Sequence, residues 1–158
     1  MLKNIYMDAI FEGSNYVINQ ITGDAVSKGD IDNISNKFNE TDISVVLGIT
    51  GNINGKVIFT MGQPLAFKIA SIIIGEDVKA IEDEIAKSCL AELGNMIMGF
   101  IATSFSKIGI DTNVTPPDII NENIESIASK NSEIACIPVV FKDGHIMNIN
   151  TSIEIEAA

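Results

Sequence analysis

Residues 82–107, EDEIAKSCLAELGNMIMGFIATSFSK, read as one long helix that is apolar nearly all round. At about 100° per residue, Ala86, Leu90, Leu93, Ile97, Phe100, Ile101 and Ile108 fall on one side, and Cys89, Met96, Met98 and Phe105 widen it. Met96 and Met98 are expected as core filler, because the flexible thioether fills irregular gaps. The opposite side is a narrow band of Glu84, Ser88, Ala91, Glu92, Asn95, Gly99, Ala102, Thr103 and Ser106. Ser88, Glu92, Asn95 and Gly99 follow one another at steps of four, three and four, so they stack along one line of the helix. An ordinary solvated face carries Lys and Glu in both signs, and this band has no Lys or Arg. Gly99 costs about 1 kcal/mol relative to Ala in a helix interior. Close approach of another backbone is the expected compensation. One carboxylate and one carboxamide among small residues make a face suited to being covered.

The chain on either side is organised to support that helix. Residues 2–22 have helical spacing through Ile5, Ala9, Ile10, Val17, Ile18 and Ile21, with Gly13 as a weak point and Gly23 as the stop. Residues 25–38 are polar and predict a short strand or two. ISVVLGI at 43–49 is a β-branched strand, GNING at 51–55 its turn, and KVIFTM at 56–61 the return strand of a hairpin. Pro64 suits a first helical position, and LAFKIASIII runs from it to a stop at Gly75. After the long helix, 110–115 predicts a strand broken by Pro116 and Pro117, with 118–120 beyond. Proline cannot donate to a central ladder, so an edge or a crossover is expected there. Residues 121–132 read as a loop. A second hairpin follows, EIACIPVVF and HIMNINTSI around Lys142-Asp143-Gly144, with Pro138 marking an edge or a bulge. Blocks in the order α, β-β, α-α, β-β imply an α+β fold. It is a two-layer domain: a mostly antiparallel sheet of two hairpins covered by the long central helix, a short helix and an N-terminal helix, as one domain over 1–158.

Composition narrows the chemistry. An apolar fraction of 46% with 20% charged residues fits a folded globular chain. The net charge of −11 disfavours nucleic acid and anionic membrane surfaces. No unbroken apolar run of about 18 residues is seen and no secretory start, so a cytoplasmic protein is expected. Cys89 and Cys136 are expected as buried free thiols. His145 is the one histidine and has no CxxC nearby, which leaves neither a zinc site nor a Ser-His or Cys-His nucleophile to build.

Three stretches carry a family resemblance: VVLGITGNINGKVIFTM at 45–61, PLAFKIASIIIGE at 64–76, and SCLAELGNMIMGF at 88–100 with the later TPPDII at 115–120. The arrangement resembles the CheX branch of the CheC/CheX/FliY phosphatases of bacterial chemotaxis. The family pattern runs Asp or Ser, three residues, Glu, two residues, Asn, about twenty-two residues, Pro. Ser88, Glu92 and Asn95 match it, and Pro117 follows after twenty-one intervening residues. The resemblance implies a phosphatase that hydrolyses the aspartyl phosphate of a CheY-like response regulator. Asn95 would position the attacking water and Glu92 would pair with the lysine of the receiver domain. Ser88, Ala91 and Gly99 would contact the partner. It implies no cofactor of the protein's own, since magnesium would arrive on the receiver. A single motif-bearing helix is expected, and with it a homodimer. The alternatives are a non-catalytic module binding a receiver or a flagellar-switch protein, and a structural subunit whose helix face is buried in its own dimer.

Overall fold

A computed structural model describes residues 2–29, 42–77, 84–120 and 132–154. In chain order they form α1 (Leu2–Thr22), β1 (Ser27–Lys28), β2 (Ile43–Gly51), β3 (Gly55–Met61), α2 (Gln63–Ile74), α3 (Glu84–Lys107), β4 (Thr112–Val114), β5 (Asp118–Ile120), β6 (Ser132–Val140) and β7 (Ile146–Glu154). The reading of 30–38 as strand, of 121–131 as loop and of 78–83 as connector falls outside the described residues. Both hairpins stand where the alternation of residues puts them. The short helix has Pro64 in its first turn, and Gly75 closes it at φ 82° with its N–H on the Ser71 carbonyl.

The seven strands make one sheet in the order β1-β6-β7-β3-β2-β4, with β5 also on β2. Every pairing among the described strands is antiparallel. The order has an internal symmetry. Exchanging β1 with β4, β2 with β6 and β3 with β7 reverses it and leaves it unchanged. The two halves of the chain, each a long helix followed by a short strand and a hairpin, are therefore related by an approximate two-fold axis between β3 and β7.

Alternate residues of four strands form the floor of the core: Val45, Leu47 and Ile49; Val57, Phe59 and Met61; Ala135, Ile137 and Val139; Met147, Ile149 and Ile153. The helices cover this face, and α3 contributes Ala86, Leu90, Leu93, Ile97, Met98, Ile101 and Phe105 to it. Gly94 fixes the seat of α3. A Cβ there would lie 3.0 Å from both Leu47 Cδ1 and Val45 Cγ1, so only hydrogen lets the helix lie this low on β2. Gly13, expected only to weaken α1, has the same use. A Cβ would stand 2.9 Å from Ile101 Cγ1 and 3.0 Å from Phe100 Cδ1, which is where α1 packs on α3.

Several expectations need correction. Met96 is 41% exposed and not in the core, because it lies at the margin of the apolar arc; Met98 is buried as expected. Ile108 is 56% exposed, since the helix ends at Lys107 and the chain turns away through Gly109 at φ 84°. Pro138 makes no bulge: the β6–β7 register is continuous from Ser132↔Glu154 to Val140↔Ile146. Its carbonyl accepts from the Gly29 N–H. Its missing N–H therefore also faces the short β1 side, where β1 ends and no donor is needed. Finally, α3 is long and apolar enough by length and composition alone to cross a membrane; here its apolar side chains are the core of the domain. The thiols of Cys89 and Cys136 are free and buried as expected.

Gly94→Ala is expected to lower unfolding free energy by about 1–3 kcal/mol through overpacking against β2. Gly99→Ala, where an added Cβ meets nothing within 4 Å, is expected to raise it by up to about 1 kcal/mol. Urea denaturation of the two variants checks both signs.

Candidate functional site

With Gly94 and Leu93 held against the sheet, the next residue is turned outward. Asn95 is exposed, as are Glu92 one turn before it, Ser88 two turns before it and Gly99 one turn after it; Ala91 beside them is half-buried. The line expected from the spacing is thus present on the outer surface of α3. No described residue hydrogen-bonds the Asn95 carboxamide or pairs with Glu92. The Thr103 hydroxyl donates to the Gly99 carbonyl at 3.0 Å. A Cβ built on Gly99 would meet nothing within 4 Å, so among the described residues no close approach offsets its cost.

The line has two different flanks. On one side Ile73, Glu84, Ile85, Ser88, Cys89 and Glu92 line a shallow, open groove between α2 and the start of α3. Ile85 there is 59% exposed. Burial pushes the Cys89 thiol up, which keeps it protonated and inert as a nucleophile near neutral pH. On the other side lies the edge of the sheet. β4 pairs with Ile49–Gly51 and β5 with residues 44–46 of β2. Between them Thr115 keeps contact with Gly48: its hydroxyl accepts from the Gly48 N–H at 2.8 Å and its N–H donates to the Gly48 carbonyl at 3.0 Å. Pro116 and Pro117 follow where the edge has no further need of a donor, as expected of an edge strand. The stretch of β2 they flank, around Leu47, is the one on which Gly94 sits.

Such a face has acceptor and donor groups but no nucleophile and no built cation site. Among the described residues no group of three His, Cys, Asp or Glu side chains could hold a metal ion. A carboxamide accepts through C=O and donates through NH₂, so it can orient a water molecule. An exposed carboxylate can receive a cationic group. Both are tasks directed at a partner that brings the reactive centre.

The expectation of a single motif-bearing helix does not survive. Asp8, Glu12 and Asn15 repeat the spacing of Ser88, Glu92 and Asn95 on α1. Exposure follows the repeat: Asp8 and Glu12 lie outside, as Ser88 and Glu92 do, and Ile10 is buried as Leu90 is. The copies differ at the amide, since Asn15 is half-buried and accepts the Val26 N–H at 3.1 Å. A constant offset of eighty residues between the two sets was the signal that would have revealed the second copy. The homodimer inferred from one motif helix loses that argument.

Comparison with known proteins agrees with this geometry. A family model described as chemotaxis phosphatase CheX matches residues 43–140, more than half of the chain. A protein of Thermotoga maritima named CheY-P phosphatase CheX is 36% identical over 76 residues, covering 48% of this chain and 49% of that protein; the aligned part spans about half the length of that relative. The CheX of a CheX-CheY-BeF3-Mg+2 complex from Borrelia burgdorferi superposes with a TM-score of 0.77 at 27% identity, over 95% of this chain and 98% of that one. A chemotaxis protein CheX from Desulfovibrio desulfuricans matches in fold, with a TM-score of 0.78 at 22% identity over 94% and 99% of the two chains. By sequence model and by fold, the chain belongs to the chemotaxis phosphatase CheX family.

Proposed function

We propose that the protein accelerates hydrolysis of the aspartyl phosphate of a CheY-like response regulator, with the outer line of α3 as the docking and catalytic face. The observation that carries this reading is the bare Glu92–Asn95 pair: both side chains point outward on a rigid core helix. Family membership and the CheY named in the Borrelia burgdorferi complex support the choice of partner.

Hydrolysis of an acyl phosphate transfers a phosphoryl group to water, and a protein contributes mainly position and charge stabilisation. The Asn95 carbonyl oxygen accepts a hydrogen bond from the water and holds it in line with the phosphorus. Asn is a neutral group, so its contribution is orientation and not proton abstraction. Glu92, one turn away, pairs with a lysine of the receiver and sets the register of docking. Ser88 contacts the rim of the receiver, while half-buried Ala91 and bare Gly99 let its loops come close enough for the short Asn side chain to reach. The magnesium ion comes on the receiver and neutralises the phosphoryl charge. In this reading the homodimer rests on the family resemblance alone.

Asn95→Ala is expected to slow receiver dephosphorylation by about 10²-fold or more, the scale of lost positioning, with an unfolding free energy within about 0.5 kcal/mol of wild type. Unchanged turnover would remove the mechanism, and binding without any turnover in the wild type would leave a non-catalytic module. Glu92→Ala is expected to weaken receiver binding by about 2 kcal/mol or more, measured by titration calorimetry. Gly99→Leu is expected to weaken binding too while leaving the fold intact.

A further inference from the structure

The copy of the motif on α1 is the strongest feature that the proposed function leaves unused. It has the spacing and the Glu and Asn of the α3 line, with Asp8, Phe11 and Asn19 where α3 has Ser88, Ala91 and Gly99, and the two-fold order of the sheet puts its helix in the equivalent place. What differs is what lies against it. The Val26 N–H donates to Asn15 Oδ1 at 3.1 Å. The Lys28 ammonium stands 3.6 Å from Asp8 Oδ1 and 5.1 Å from the centroid of the Phe11 ring. Val26 and Lys28 belong to one segment, the approach to β1 and β1 itself.

We infer that the α1 copy is a closed site: the chain's own segment 26–28 holds Asn15 and Asp8 and leaves Glu12 alone of the motif without a bond to it, so each chain engages one receiver and Asn95 carries all of the turnover. The inference rests on the reading of Glu92 and Asn95 given above. The chemistry is specific to one atom. A water-positioning amide must accept through its carbonyl oxygen; on the half-buried Asn15 the Val26 N–H takes one of that oxygen's two lone pairs and turns the oxygen toward its own chain. Lys28 lies against the motif helix at Asp8, the counterpart of Ser88.

The segment is also part of the fold. Ser27 and Lys28 pair with Val140 and Val139, and the Gly29 N–H donates to the Pro138 carbonyl at 2.8 Å. Moving it off α1 would strip β1 from β6. The equivalent strand after α3, β4, makes the equivalent pairing on β2, yet no described residue bonds the Asn95 amide. Between Glu12 and Asn15, Gly13 packs on α3 and the buried Ser14 hydroxyl donates to the Ile10 carbonyl at 2.7 Å, so this turn is drawn into the interior.

The test combines turnover with stoichiometry. Dephosphorylation of a phosphorylated CheY-like receiver is followed for wild type, Asn95→Ala, Asn15→Ala and the double variant, and wild type is titrated calorimetrically with beryllofluoride-loaded receiver. The expected result is that Asn15→Ala keeps a rate per folded chain within about twofold of wild type but melts earlier, because β1 loses its anchor. Asn95→Ala is expected to lose the rate outright, and one receiver binds per chain. A half-maximal rate in Asn95→Ala that disappears in the double variant, or two receivers per chain, overturns the closed site while leaving the phosphatase reading intact. Rates indifferent to both amides overturn the phosphatase reading and this inference with it. Should Asn15→Ala fail to fold, the stoichiometry of the wild type decides alone.

Discussion

The seat of α3 on β2 at Gly94 decides which side chains this protein shows to its surroundings. A helix rotated by one residue would bury Asn95 or swing Glu92 toward the sheet edge. Rotation is prevented because Gly94 lies within 3.0 Å of Val45 and Leu47 side chains, measured from where its Cβ would be, and because Leu90, Leu93, Ile97 and Ile101 are buried around it. A polar group acting on a bound partner gains from a rigid support, because position is most of what it contributes. The same close contact that makes the core thus aims the surface.

Much of this was legible in the residues. The β-branched runs in ISVVLGI and KVIFTM, the turn between them and the Pro64-to-Gly75 helix left little freedom, and each of these elements stands where it was expected. The polar line of α3 was readable because 3.6-residue periodicity survives in a helix packed on one side only. The misses have definable causes. Periodicity alone extends past a helix end, so Ile108 was placed in a core it does not reach. Met96 sits at the border of an apolar arc, where sequence does not say which side wins. The use of Gly13 and Gly94 as contact points is invisible in sequence, where each reads as a cost to its helix. Their partners, Ile101 and Val45, lie far along the chain. The second motif was legible and was missed for another reason: Glu12 and Asn15 frame a Gly-Ser pair, and that pair draws attention as a helix weakness.

The two halves of the molecule show how a repeated framework diverges in use. Sheet order and motif spacing are shared, yet one amide faces outward and the other holds a backbone N–H of its own chain. The short strand after each motif helix takes the equivalent edge, β1 on β6 and β4 on β2. The difference lies in what touches the motif: the Val26 N–H bonds Asn15 and Lys28 stands beside Asp8, whereas beyond β4 Thr115 bridges to Gly48. Exposure of the carboxamide, rather than the presence of the motif, is what distinguishes the two helices.

The proposed role of Asn95 in holding the water has a direct reporter in its side-chain NH₂ resonances. On addition of beryllofluoride-loaded receiver with magnesium, the Asn95 carboxamide signals are expected to shift and broaden while those of Asn15 stay in place. Signals of Asn95 that remain unmoved at saturation, with the receiver demonstrably bound, would contradict the assignment of α3 as the active face.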